Sequence, residues 1–244
     1  MKELKDLSKK DLLKILGVIT LSDGSIGKSG GSIAITLATL KENKEQHDLF
    51  EFICKIVYSK KPTRHVYKIR GKEMLRSRVC GKQYVFPLFK LSPTYKTSDE
   101  KEKINPSIKF LDNKKIRILG LRTYFDFDGS IIPSYKLKKK RQRINKKLYF
   151  YYQIQFECDI NIAETNPNIA SELSALCDTL GIKSVIKKDR RNWSGLYGIR
   201  IYQLESIIKF LELGGPLTNV KISSKSKRLQ GITKKAVCNS TLNM

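Results

Sequence analysis

Two carboxylates in this chain stand in the same setting. Asp23 and Asp128 each open the tetrapeptide Asp-Gly-Ser-Ile, and each closes a segment whose apolar residues recur at helical spacing. An acid at a helix C-terminus faces the negative end of the macrodipole, and two such acids brought together repel. Stability alone does not select that arrangement twice in one chain. Carboxylate oxygens left partly open do suit a hard divalent cation, which keeps waters and completes its shell from phosphate.

The elements that must position these acids repeat as well. Residues 7–22 read as a helix in which Ser8 is the N-cap, Asp11 stands three residues on, and Leu12, Leu16 and Ile19 share a face. Gly24 stops it. The segment 32–40 alternates, with Ile33, Ile35 and Leu37 on one side, as a strand with one buried face does. A helix over about 42–58 and a hairpin turning at Gly71-Lys72 follow, and the stretches 84–91 and 105–111 lead to the middle of the chain. A helix capped by Asn113 then covers about 114–127, followed by the basic run 134–143 and a strand of regular alternation over 148–160. Leu148, Phe150, Tyr152, Ile154, Phe156, Cys158 and Ile160 are expected to face in, and Tyr149, Tyr151, Gln153, Gln155 and Glu157 out. Helices over about 166–180 and 203–213 flank a last hairpin. Each half thus reads as helix, two strands, helix, two strands, helix, an internal duplication. The final stretch from Pro216 is basic and partly helical.

Composition narrows the function. The 244 residues carry 48 Lys and Arg against 23 Asp and Glu, a net charge of +25, which asks for a polyanionic partner. Through Asp112 there are 23 basic and 13 acidic residues, and after it 25 and 10, so both halves are basic. Five scattered cysteines without a CxxC pair argue against a disulfide framework or a zinc knuckle. Two histidines, His47 and His65, are too few for a His-Asn-His metal cluster. No apolar run is long enough to span a membrane, and the N-terminus lacks the apolar core of a signal peptide, so the expected setting is intracellular.

The runs LGVITLSDGSI (Leu16 to Ile26) and LRTYFDFDGSI (Leu121 to Ile131) resemble the two signature motifs of the LAGLIDADG homing endonucleases. The resemblance covers nearly the whole chain, because the order of elements in each half is also that of the family. It implies an α+β fold of two pseudo-symmetric αββαββα halves, 1–112 and 113–244, packed through parallel motif helices, each half with a curved four-stranded antiparallel sheet that binds DNA. At the third motif position, where the family has a small residue, this chain has Val18 and Thr123.

The same resemblance implies the site. Asp23 and Asp128 become metal ligands, with further oxygen from the backbone near Ser22 or Gly24 and near Phe127 or Gly129. The ion is Mg²⁺, with Mn²⁺ able to substitute and Ca²⁺ expected to support binding without efficient cleavage. Gln155 and Lys221 become second-line catalytic residues around the attacking water, Lys41 standing in weakly for a Gln in the first half. Arg76, Arg78, Lys136, Tyr149, Tyr151 and Gln153 become DNA contacts on the outward sheet faces.

The implied activity is hydrolysis of one phosphodiester per strand in a long asymmetric double-stranded site, by a monomer. Two alternatives share the fold: a splicing maturase acting on host intron RNA, and a DNA-binding protein without catalysis. One ambiguity of register stays open. Aligning ILGVIT with ILGLRT matches Asp23 to Asp126, whereas aligning the two DGSI tetrapeptides matches it to Asp128.

Overall fold

The computed structural model describes residues 2–29, 31–97, 104–222, 229 and 231–242. A short N-terminal helix α1 (Lys2–Lys5) precedes α2 (Lys9–Leu21). Then come β1 (Gly24–Ser29), β2 (Ser32–Leu40), α3 (Lys44–Tyr58), β3 (Thr63–Ile69), β4 (Lys72–Cys80) and α4 (Lys82–Phe89). The second half runs α5 (Lys114–Asp128), β5 (Gly129–Ile144), β6 (Lys147–Ala163), α6 (Pro167–Thr179), β7 (Val185–Lys188), β8 (Leu196–Ile201) and α7 (Leu204–Glu212). A last helix, α8 (Lys234–Leu242), follows. The basic stretch before α8 lies partly outside the described residues.

Each half forms one four-stranded antiparallel sheet with the same connectivity, β1-β2-β4-β3 and β5-β6-β8-β7. This is the duplicated α+β architecture that the sequence implied. Between the sheets α2 packs on α5. Both helices are buried almost all round over their second halves, as helices at the centre of a fold must be. The polar residues this buries satisfy themselves: the Thr20 hydroxyl donates to the Leu16 carbonyl at 2.8 Å and that of Thr123 to Leu119 at 2.7 Å. Ser8 and Asn113 cap the two helices, accepting from Asp11 and Ile116 backbone N–H groups at 3.1 and 3.0 Å.

The bulkier third motif residues do not prevent this packing, since Val18 and Thr123 are both fully buried. The glycines one position earlier in α2 and three earlier in α5 face elsewhere. A Cβ on Gly17 would lie 3.2 Å from the Phe110 ring and 3.3 Å from the Tyr95 hydroxyl, and one on Gly120 would lie 2.6 Å from Leu111. The segment joining the halves therefore lies along both motif helices. Lys14, buried on α2, reaches across to Asp112 at 2.7 Å.

One expectation about β6 fails over half its length. Cys158 and Ile160 are buried, but Leu148, Phe150, Tyr152 and Ile154 on the same face are 53–68% exposed. The reason is topological. Strand β8 pairs with β6 only over Ile160–Ala163; α7 and α8 still reach the hairpin next to that pairing, but toward its tip the β5–β6 hairpin is a two-stranded ribbon exposed on both faces. Alternation reports the period of a strand, not what covers it. The ribbon reverses at Asn145 and Lys146, with φ of 49° and 64°, the pair of left-handed residues that a two-residue hairpin turn requires.

Candidate metal centre and nucleic-acid interface

The two motif helices end alike. Asp23 follows the C-cap residue of α2, Ser22, and Asp128 is the last residue of α5, and each is followed by a glycine that begins a strand. A Cβ on Gly24 would lie 2.6 Å from the Thr20 Cα, and one on Gly129 would lie 2.6 Å from the Phe125 Cα. Both clashes are with the residue four positions back. Chain reversal from helix to strand at this radius admits only glycine, and it matches Asp23 with Asp128.

The two carboxyls share an environment that opposes their charge. Burial pushes Asp23 up to about 6, and the ammonium of Lys234 partly offsets this. Asp128 is held well above the carboxylate range, first by burial, then by the charge of Asp23 and by that of Glu164, against Lys234. Glu164, just beyond β6, is itself pushed up to about 7 by burial, against backbone N–H groups of Thr165 and Asn166. It lines a small cleft with Leu21, Ser22, Asp128 and Thr165.

Asp126 does different work. It is fully buried, and its Oδ2 accepts from the backbone N–H groups of Leu217 and Thr218 at 3.0 and 2.9 Å, pinning the segment after α7 beneath α5. Burial still pushes its pKa up to about 7.

Lys234, on α8, was not anticipated. Its ammonium donates to the carbonyls of Phe125 and Asp126 at 2.8 and 2.7 Å, closing the last turn of α5. Burial draws its pKa down to about 8, and Asp126, Asp128 and Asp23 resist that. The available signal was spacing: Lys234, Val237, Cys238 and Thr241 form an i, i+3, i+4, i+7 stripe, and all four are buried.

Lys221 is not that cation. It is exposed, forms an isolated bridge with Thr233, and does not figure among the charges acting on Asp23 or Asp128. Gln155 is also misplaced for work at the acids. Gly129 pairs with Ile162, so Gln155 lies seven residues along the strand, roughly 23 Å away at about 3.3 Å per residue. The outward residue beside the acid end of β6 is Asn161, paired with Ser130, and its Oδ1 is buried without a partner. Lys41 is occupied at the surface by Glu73, 2.9 Å away.

The outward faces carry the expected contact residues. On β4, Leu75, Ser77 and Val79 are buried, which turns Arg76 and Arg78 away from the helices. The Arg76 guanidinium lies 4.4 Å from the centroid of the Tyr67 ring, which stacks in turn with His65. On the ribbon, Lys136, Gln153, Tyr151 and Tyr149 share the outward face, as the register requires. Acids stand among these cations: Glu157 pairs with Lys136 and Lys138, and Asp159 with Arg200 at 2.8 Å.

Two carboxylates at matched helix ends suit a hard oxygen-liganded cation. Among the described residues no three His, Cys, Asp or Glu side chains converge as a complete shell.

Comparison with known proteins agrees with the fold. Residues 117–215 match the LAGLIDADG-like domain. The homing endonuclease I-DmoI in complex with DNA and Mn superposes with a TM-score of 0.53 at 18% identity, over 86% of this chain and 100% of that one. The homing endonuclease I-WcaI bound to its DNA recognition sequence gives 0.51 at 15% identity, over 93% and 90%. No curated protein matches in sequence. The chain has the LAGLIDADG homing-endonuclease fold in a single polypeptide with two halves. Among the described residues no helix is long and apolar enough to cross a membrane.

Proposed function

We propose that this chain is a site-specific double-strand DNA endonuclease that uses a divalent metal ion, Mg²⁺ in the first instance, and acts as a monomer with half-domains 1–112 and 113–244. The observation that carries the reading is the placement of Asp23 and Asp128 at equivalent helix ends, where the charge of Asp23 raises the cost of ionising Asp128. A protein gains no stability from that juxtaposition, and a cation relieves it. Solved neighbours that are complexes with DNA and with Mg, Mn or Ca support the partner.

Asp23 and Asp128 would hold the ion, which when bound supplies Lewis-acid activation of the phosphodiester and of water. The remaining roles belong to the chain's own groups. Lys234 fixes the carbonyl end of α5 and offsets part of the negative charge gathered there, which lowers the cost of ionising Asp23 and Asp128 against their burial. Arg76, Arg78 and Lys136 hold phosphates or base edges from the outward sheet faces, and Tyr149, Tyr151 and Gln153 extend that contact along the ribbon. The two halves differ at these positions, so the site read is asymmetric and spans about two duplex turns, or roughly 20 base pairs.

The test is a cleavage assay on a plasmid carrying the two flanks of the open reading frame joined directly, beside a gel-shift titration with the same DNA. Mg²⁺-dependent cutting of both strands is expected, with Asp23→Asn and Asp128→Asn each abolishing it while retaining binding. Tight binding without cutting in any divalent ion would leave a DNA-binding protein instead.

A further inference from the structure

The β5–β6 ribbon presents a second face that the outward sheet surface does not use. Cross-strand register places Tyr135 opposite Phe156, Leu137 opposite Ile154, Lys139 opposite Tyr152, Arg141 opposite Phe150 and Arg143 opposite Leu148. All ten lie on the face turned toward the helix side of the sheet, and none is acidic. Near the core this face is covered. Beyond it β6 is exposed over Lys147–Ile154, roughly 26 Å at a strand's rise of about 3.3 Å per residue, with Tyr152 and Ile154 66% and 68% exposed. The corresponding hairpin of the first half, β1–β2, has a six-residue first strand and no such extension.

An apolar face of this size invites a partner, and its charge decides which. Three cations in register would repel a second copy of the same face. One of them stands directly over a ring, Lys139 Nζ lying 4.5 Å from the centroid of Phe150, and nearer the core Tyr135 packs on Phe156 at 5.3 Å. Rings interleaved with cations along one strip are the chemistry that holds unpaired nucleotides, whose bases stack on the rings while the backbone meets the cations. A duplex offers phosphates but keeps its bases stacked on one another.

We infer that the helix-side face of the ribbon, centred on Phe150, Tyr152, Lys139 and Arg141, is a binding site for single-stranded nucleic acid. It is separate from the outward face and does not depend on the hydrolytic reading. A chain with this site holds a duplex on one surface of the ribbon and a single strand on the other.

The experiment uses the full chain and three fluorescein-labelled probes: a single-stranded oligothymidylate and an oligouridylate of about 15 nucleotides, and a duplex of mixed sequence. Paired substitution of Phe150→Ser and Tyr152→Ser is expected to weaken single-strand binding about tenfold or more while leaving duplex binding within about twofold. Tyr149→Ser with Tyr151→Ser, on the opposite face, should do the reverse. A loss with either oligonucleotide supports the site, and the tighter-binding one identifies whether its source is DNA or RNA. All four positions are exposed, so melting temperature should not move. Independently, a 4-thiothymidine oligonucleotide should crosslink the parent protein at Leu137, Lys139, Arg141, Phe150, Tyr152 or Ile154, which share the helix-side face. The proposal falls if the Phe150 and Tyr152 changes leave single-strand binding intact, if both faces lose it equally, or if crosslinks fall elsewhere. It also falls if sedimentation shows a dimer that those changes dissociate, since the face would then be a self-interface.

Discussion

Lys234 Nζ lies 2.7 Å from the carbonyl oxygen of Asp126, a hydrogen bond that joins residues 108 positions apart in sequence. It ties the last described helix to the end of α5 and places one ammonium among three carboxyls. Lys234→Met keeps much of the side-chain volume and removes the charge. Breaking a buried charge cluster from one side costs about 3 kcal/mol or more. The expected result is a melting temperature lower by roughly 6–12 °C for a chain of this size, read by calorimetry.

Asp126 and Asp128 should separate cleanly by assay. Asp126→Ala removes the acceptor of two buried N–H groups, at about 2–4 kcal/mol, and should lower stability. Asp126→Asn keeps an oxygen in place and should still cut. Asp128→Asn relieves a like-charge contact, so it should melt at or above the parent temperature while losing cleavage. An Asp128→Asn protein that cuts normally beside an inactive, stable Asp126→Asn would reverse the assignment of the second acid.

The glycine at each helix end is sterically required, and a nearby glycine supplies the control. Gly129→Ala drives a Cβ to 2.4 Å from the Phe125 carbonyl oxygen, whereas a Cβ on Gly27 meets nothing within 4 Å. Urea titration should show a loss of about 1–3 kcal/mol or more for the first and little change for the second.

His47 gives the fold an acid limit. Its Nδ1 lies 2.7 Å from the Ser77 hydroxyl and its Nε2 lies 3.0 Å from that of Thr39, tying α3 to β4 and β2. Burial, followed by the Arg64 charge, lowers its pKa to about 4. The unfolded chain takes up the proton near pH 6.5, before the folded one does, so stability is full above that pH and falls as pH drops from about 6.5 to 4. Thermal melts of the parent should show that slope, and His47→Gln should flatten it in the same window.

Binding to duplex DNA should weaken steeply with salt, with a log–log slope of roughly −0.9 per neutralised phosphate. Arg76→Ala and Arg78→Ala discriminate between two roles. A phosphate contact lowers the slope by about one and weakens all sequences alike, whereas a base contact costs about 1–3 kcal/mol at one position of the site. A flat salt response would leave the charge of +25 without a partner.

Much of this architecture could be read from local pattern. The caps Ser8 and Asn113, the helix ends at Gly24 and Gly129, and the inward Leu75 and Val79 all follow from signals within a few residues. The failures depend on distant chain. Phe150 and Tyr152 alternate as buried residues do, but whether anything covers them depends on where β8 stops. Lys234 is one lysine among many until the chain returns beneath α5, and Gln155 seemed placed for catalysis only while strand length was ignored.

The joining segment bears on any attempt to build chimaeras from this protein. Tyr95 and Phe110 seal Gly17 of the first half, and Leu111 seals Gly120 of the second, so the connector is a shared gasket and not a spare tether. A hybrid that takes residues 1–90 from one parent and the rest from another mismatches that seal against α2. Crossovers placed after Asp112 keep the first half with its own gasket but leave foreign contacts under the second, Leu111 on Gly120 and the bonds of Ser107 and Ile108 to Glu172 among them.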